Sequence, residues 1–250
     1  MLIAGFGADH LSWGFQHAAL SGRYRVIAFD NRGSGRSASP EGPWTTRLMA
    51  ADTLALMDRL GIESAHVLGA SLGGMIAQEV ALAEPGRVRS LQLYGTAARP
   101  DRYLLALLEN LRAVRAGIGR EGALRAMALW LFGVTTFNER PEFVDMLLYA
   151  AGSQANPQAD TAFARQGDAV MTHDALDRLS DITCPTLVGG GEEDLLTPLR
   201  LSREIVRAIP HAELRTVSRA GHAVFWEQPA EFNALCLEFL AKVEAAPPIL

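Results

Sequence analysis

The chain has 250 residues, of which 49% are hydrophobic, 20% charged and 7% aromatic, a composition that excludes disorder and collagen-like repeats and suits one large, well-cored domain. Its 23 Lys and Arg stand against 28 Asp and Glu, a net charge of -5 with no basic block, which argues against nucleic acid as a partner. Two cysteines, Cys184 and Cys236, support neither a disulfide framework nor a thiolate metal site.

Short apolar runs alternate with longer segments of helical period, the pattern of a parallel sheet with crossover helices. The first strand candidate is Met1–Ala4. It has no positive n-region of a signal peptide before it, and no apolar run in the chain approaches the roughly 18 residues of a membrane span. No membrane partner and a cytoplasmic location are therefore expected. Tyr24–Phe29 is the second strand candidate and runs into the turn Asp30-Asn31-Arg32-Gly33. Arg47–Leu60 spaces Met49, Leu54, Met57 and Leu60 three and four residues apart and stops at Gly61, so a helix is predicted. Ala65–Leu68 and Ser90–Tyr94 read as buried strands, with a helix over Leu72–Glu84 between them that ends at Pro85-Gly86.

From about residue 97 to 182 no strand is predicted, only helical pieces over Tyr103–Ala116, Glu121–Phe132 and Glu142–Ala151. Such an excursion is too long for a loop in one domain and reads as an inserted helical cap. The alternation resumes with strands Pro185–Val188 and Ala212–Val217 and helices Pro198–Ile209 and Pro229–Val243, the former opening on a proline. The expected layout is thus core over 1–96, cap over 97–182 and core again over 183–250. The Ala245-Ala246-Pro247-Pro248 tail is expected to fray.

Gly69-Ala70-Ser71-Leu72-Gly73-Gly74 follows one predicted strand directly and opens a helix. That is the strand–turn–helix setting in which a G-x-S-x-G serine projects above the sheet, with glycines on either side so that the chain can pass. A serine hydroxyl is a weak nucleophile at neutral pH and needs a base, which in turn needs an orienting group. His222, in the loop after the last strand, and Asp194, just past the preceding one, supply both types. Their loops lie at carboxyl ends of strands, where open α/β sheets build their sites. Two alternatives stay open for the acid: Asp194 could only cap the helix that begins near Thr197-Pro198, or Asp101 could serve instead. Oxyanion donors are expected at the backbone N–H groups of Leu72 and of Phe6, in Gly5-Phe6-Gly7. Leu131, Phe132, Phe137, Tyr149 and Trp226 are candidates to line an apolar pocket, and His10 to touch substrate. Neither Gly5-Phe6-Gly7-Ala8-Asp9-His10 nor Gly33-Ser34-Gly35-Arg36-Ser37-Ala38 carries a third glycine, and no Walker Lys-Ser/Thr follows a glycine run, so nucleotide binding is not supported. Arg32 and Arg36 beside this second run are read as solvated or structurally paired.

The segments Phe29 to Ser37, Gly69 to Gly74, Asp194 to Pro198 and Gly221-His222 together resemble the α/β-hydrolase superfamily over nearly the whole chain, in its cap-bearing esterase and lactonase branch near 3-oxoadipate enol-lactonases. The resemblance implies Ser71 as nucleophile, His222 as base, Asp194 as acid, no cofactor and no metal, and a small ester or lactone as substrate. Carbon–carbon bond hydrolysis, acyl transfer or ligand reception on the same scaffold are the rival functions. Dehalogenation and epoxide hydrolysis are disfavoured because they want a carboxylate where Ser71 stands. The chain departs from the family in having Ala4 where many relatives have a histidine before the oxyanion loop, and in starting inside the strand that leads to that loop rather than with a preceding β-hairpin. A bare sheet edge at Tyr24–Phe29 or its neighbour, able to pair in a homodimer, is expected from the second departure.

Overall fold

The computed structural model describes residues 1–245; the tail beyond Ala245 lies outside the described residues. Six strands, β1 (Leu2–Ile3), β2 (Ala28–Phe29), β3 (Ala65–Ala70), β4 (Val88–Tyr94), β5 (Thr186–Gly191) and β6 (Glu213–Val217), form one sheet in the order β2-β1-β3-β4-β5-β6. Every neighbouring pair is parallel. The helices in chain order are α1 (Gly14–Leu20), α2 (Thr46–Arg59), α3 (Leu72–Ala83), α4 (Arg102–Leu131), α5 (Val134–Glu139), α6 (Pro141–Gly152), α7 (Asp160–Met171), α8 (Leu199–Ala208), α9 (Val224–Glu227) and α10 (Pro229–Ala245). This is the α/β-hydrolase fold that the resemblance implies, and its parallel sheet is the one the alternation of apolar runs predicts.

Both faces of the sheet are covered, and side-chain alternation along the strands decides which residue meets which layer. Ile3, Val67, Leu91, Leu93 and Val188 pack with Met49 and Met57 of α2, Ile76 and Val80 of α3 and Leu201 and Ile205 of α8. Leu2, Leu68, Tyr94 and Leu187 face the opposite layer, where Trp13, Leu20 of α1 and Phe232, Cys236 and Phe239 of α10 wait. Cys184 and Cys236 are both free thiols, and burial pushes them up to about 11 and about 12, so they behave as small apolar groups.

The structure differs from the sequence reading in the length of β1 and β2 and in several short helices, and it bears out two helices after β4. The edge strand β2 is two residues long, not six, because Leu2 and Ile3 are the only ladder partners that β1 offers before Gly5 turns away. Its residues Val26 to Phe29 are half-buried. The two helices expected at Tyr103–Ala116 and Glu121–Phe132 are the two halves of α4, which breaks at Gly119 with φ 70° and ψ -178°, a conformation open mainly to glycine. The short helices α1, α5, α7 and α9 were not legible as separate elements. Between β4 and β5 the described chain is helical, and α4 packs against α6 and α7.

Candidate active site

The turn from β3 into α3 forces Ser71 to φ 56° and ψ -123°, a backbone strain of about 1–3 kcal/mol for a non-glycine residue. The surroundings hold it there. The Ser71 N–H donates to the Tyr94 carbonyl at 2.9 Å, and Thr96 Oγ1 donates to the Ser71 carbonyl at 2.8 Å. The flanking glycines are dictated by close approach: a Cβ on Gly69 would lie 2.2 Å from the Gly73 carbonyl oxygen, and one on Gly73 2.0 Å from that of Ile3. The G-x-S-x-G spacing therefore follows from packing the start of α3 against β1.

His222 follows β6 and Asp194 follows β5, and the two side chains meet. The His222 Nδ1 and Asp194 Oδ2 are 2.9 Å apart, with Asp194 only 4% and His222 7% exposed. Asp194 Oδ1 accepts from the N–H groups of Leu196 and Thr197, each at 2.8 Å, so it both caps this turn and holds the imidazole. Thr197 Oγ1 donates to Asp194 Oδ2 at 2.8 Å and lies 3.0 Å from His222 Nδ1. Burial works to raise the Asp194 carboxyl, but His222 and the Thr197 donors outweigh it and hold the group below the usual carboxylate range. The rival acid Asp101 is elsewhere, capping α4 through the Leu104 N–H and pairing with Arg200 at 2.5 Å. Glu193 and Glu192 are likewise taken, by Thr135 and by Thr216.

Ser71 and His222 line one cavity of about 640 Å³. With Nδ1 engaged by Asp194, Nε2 is the free ring nitrogen. Among the described residues neither Nε2 nor the Ser71 hydroxyl has a hydrogen-bond partner. The loop after β1 lies against Ser71, since a Cβ on Gly5 would come within 3.2 Å of the Ser71 Cβ. The N–H groups of Phe6 and Leu72 find no acceptor among the described residues. Gln166 Oε1 steadies the loop by accepting from the Gly7 N–H at 3.1 Å.

The cavity wall is mostly apolar, supplied by Leu108, Leu111 and Met127 of α4, Leu148 of α6 and Phe163 of α7. Leu131, Phe132 and Trp226 line it as expected, whereas Phe137, Tyr149 and His10 do not. Phe137 packs edge-on behind Phe132, 6.1 Å between ring centroids. Tyr149 is 77% exposed, because α6 turns Leu147 and Leu148 inward and so rotates the next residue out. His10 braces the Asp30 turn instead: its Nδ1 lies 2.7 Å from Asp30 Oδ1, and its backbone N–H donates to the same oxygen at 2.8 Å. Arg32 forms a two-pronged pair with Asp52. The sequence reading missed Thr197 and the polar stretch of wall formed by Arg115, Arg120, Gln154 and Gln158. For Thr197 the signal was its spacing of three residues after Asp194, the reach of a side chain that caps a turn.

Among the described residues no group of three or more His, Cys, Asp or Glu side chains is placed to hold a metal ion, and no helix is long and apolar enough to cross a membrane.

Residues 1–235 match the family model described as the alpha/beta hydrolase family. A protein of Azorhizobium caulinodans designated carbamate hydrolase RutD is 33% identical over 249 residues, covering 98% of this chain and 91% of that one. The solved structure of a Mycobacterium tuberculosis H37Rv protein designated non-heme bromoperoxidase BpoC superposes with a TM-score of 0.88 at 33% identity, covering 98% of this chain and 92% of the other. The enol-lactonase from Burkholderia xenovorans LB400 superposes with a TM-score of 0.85 at 27% identity, over 96% and 90% of the two chains.

Proposed function

The chain belongs to the alpha/beta hydrolase family, and from that premise we propose that it is a serine hydrolase that cleaves a small carboxylic ester or lactone through an acyl-enzyme. The observation that carries this reading is that Ser71, strained at its turn, and His222, held by the buried Asp194, line the same cavity. The hydrolase and lactonase names of the relatives support it.

In this mechanism His222 Nε2 takes the Ser71 proton as Oγ attacks the substrate carbonyl, and Asp194 holds the imidazole in the tautomer that leaves Nε2 basic. The Phe6 and Leu72 N–H groups receive the developing oxyanion. Collapse expels the alcohol, protonated by His222, and leaves the acyl group on Ser71. A water deprotonated by His222 then attacks the acyl carbon, and the acid departs as Ser71 regains its proton. The helices α4 to α7 act as the cover that keeps this chemistry out of bulk water.

The test is hydrolysis of p-nitrophenyl acetate, butyrate and octanoate and of a small lactone panel, with the intact protein mass followed during the first turnovers. Turnover accompanied by an acyl adduct on the Ser71 peptide is expected. Turnover with an adduct elsewhere, or none on any of these substrates, overturns the reading.

Thr197 carries a separate prediction. Thr197→Val keeps the shape but removes the hydroxyl shared by Asp194 and His222. A fall of roughly 10-fold in kcat, with KM within a factor of about three, is expected from the loss of an imidazole-orienting hydrogen bond. An unchanged kcat would show that Asp194 orients His222 without it.

A further inference from the structure

We propose that Gln166 of α7 is a positioning residue that sets the Phe6 N–H where the oxyanion forms, so that a helix of the cover, and not the sheet alone, completes the oxyanion hole; the proposal rests on the serine-hydrolase reading above. The loop that carries this donor is poorly fixed by its own residues. Glycines flank Phe6 on both sides, and glycine leaves the backbone its greatest freedom. Gly7 stands at φ 74° as the third residue of a turn that the Ala8 N–H closes onto the Gly5 carbonyl at 3.3 Å. A positive φ at that position goes with a middle peptide rotated away from its orientation in the commoner type I turn, so the Phe6–Gly7 peptide needs an outside partner to stay there. Ala4, just before the loop, has no side chain to brace it; its carbonyl is held by Asn31 Nδ2 at 2.9 Å.

The holds on Phe6 and Gly7 come from α7, with Gln166 lying 159 residues beyond Gly7. Gln166 is fully buried, and its amide is used from both ends. Oε1 accepts from the Gly7 N–H at 3.1 Å, while Nε2 donates to the Arg32 carbonyl and to Ser34 Oγ, each at 3.0 Å. An N–H at one end and a carbonyl at the other fix which atom is oxygen and which nitrogen. One side chain therefore joins α7, the oxyanion loop and the turn after β2. Three residues earlier, and so on the same face of α7, Phe163 packs its ring against that of Phe6, 4.4 Å between centroids. Phe6 is thus held at its ring by Phe163 and at its following peptide by Gln166, and its own N–H is left without an acceptor in the loop that lies against Ser71. Donors of this kind act by standing in place before charge develops, and a misplacement of about 1 Å is enough to lose up to roughly 100-fold in rate.

Two ketones of one chain length separate the hole from the cavity. Methyl pentyl ketone only fills space. Trifluoromethyl pentyl ketone also reacts: Ser71 Oγ adds to its carbonyl carbon, the Ser71 proton passes to His222, and the carbonyl oxygen becomes an oxyanion. The fluorinated ketone is titrated by fluorine NMR, and the plain one by displacing it. In Gln166→Leu, which fills similar space but neither donates nor accepts, the affinity ratio of the fluorinated over the plain ketone is expected to fall about 10- to 100-fold. The kcat on p-nitrophenyl butyrate should fall alike, with KM within a factor of about three. A merely structural glutamine would weaken both ketones together, and an unchanged ratio overturns the proposal. Should Gln166→Leu not fold, Ser34→Ala decides: it removes one partner of the amide and is expected to lower the ratio about 2- to 10-fold, no change again overturning the proposal. A wild type that forms no adduct would overturn the serine-hydrolase reading and this one with it, whereas adducts of equal affinity in wild type and variant would overturn this one alone.

Discussion

Ser71→Ala is expected to lower kcat on any ester the protein turns over by at least about 10⁴-fold, because a nucleophile acting in one unit with His222 and Asp194 carries nearly the whole chemical step. The substitution leaves the fold alone, so its Tm should stay within about 2 °C of the wild type, and the lost activity then belongs to the hydroxyl. Ser71→Gly separates catalysis from strain. At φ 56° and ψ -123° a residue with a Cβ stores about 1–3 kcal/mol, of which glycine relieves most while losing about 0.5–1 kcal/mol to its freer unfolded chain. The glycine variant should be as inactive as the alanine variant and more stable by about 1 kcal/mol, roughly 2–4 °C in Tm for a chain of this size. Ser71→Ala retaining a tenth or more of the activity would place the nucleophile elsewhere. A glycine variant no more stable than the alanine one would show that the turn is not strained.

The same turn shows why the sequence was so readable here. A G-x-S-x-G element is local: its glycines answer to contacts with Gly73 and Ile3 that any such turn makes, and its flanking strand and helix have strong periodic signals. His222 and Asp194 stand out by position, since each follows a predicted strand, and the structure brings their side chains together. What escaped depends on contacts between distant segments. His10 is a candidate substrate contact in the sequence, yet Asp30, 20 residues on, claims its ring. Tyr149 is a candidate pocket residue in the sequence, but only the packing of α6 on α4 decides which face of α6 turns inward.

Glu227 carries a weight that is invisible in the sequence, and its removal should cost the most stability. It is fully buried five residues past His222. Its Oε1 accepts from the Gly221 N–H at 2.8 Å, and its Oε2 from the Gly133 N–H at 2.8 Å and Thr136 Oγ1 at 2.5 Å. One carboxylate thus ties the loop that carries His222 to the chain leaving α4, and the Ala223 N–H, donating to Leu131 at 2.8 Å, adds a parallel tie. Glu227→Ala strands three buried donors and is expected to destabilise the protein by about 3–5 kcal/mol, near 10 °C in Tm, with kcat falling as Gly221-His222 loosens. Glu227→Gln keeps one acceptor oxygen but sets its NH2 against an N–H, a loss of about 1–3 kcal/mol. Burial outweighs these donors and raises the Glu227 carboxyl above its ordinary 4.5. An acid with a raised folded pKa favours the fold most when protonated, so this contribution is full below about pH 4.5 and declines as pH climbs through the raised value. The glutamine variant has no such titration, and its deficit against wild type should therefore be larger near pH 4 than near pH 8, as read by denaturant melts at both. A Glu227→Ala variant melting within about 2 °C of wild type would show that water or a shifted backbone satisfies the three donors, and that the Gly221-His222 loop does not depend on this tie.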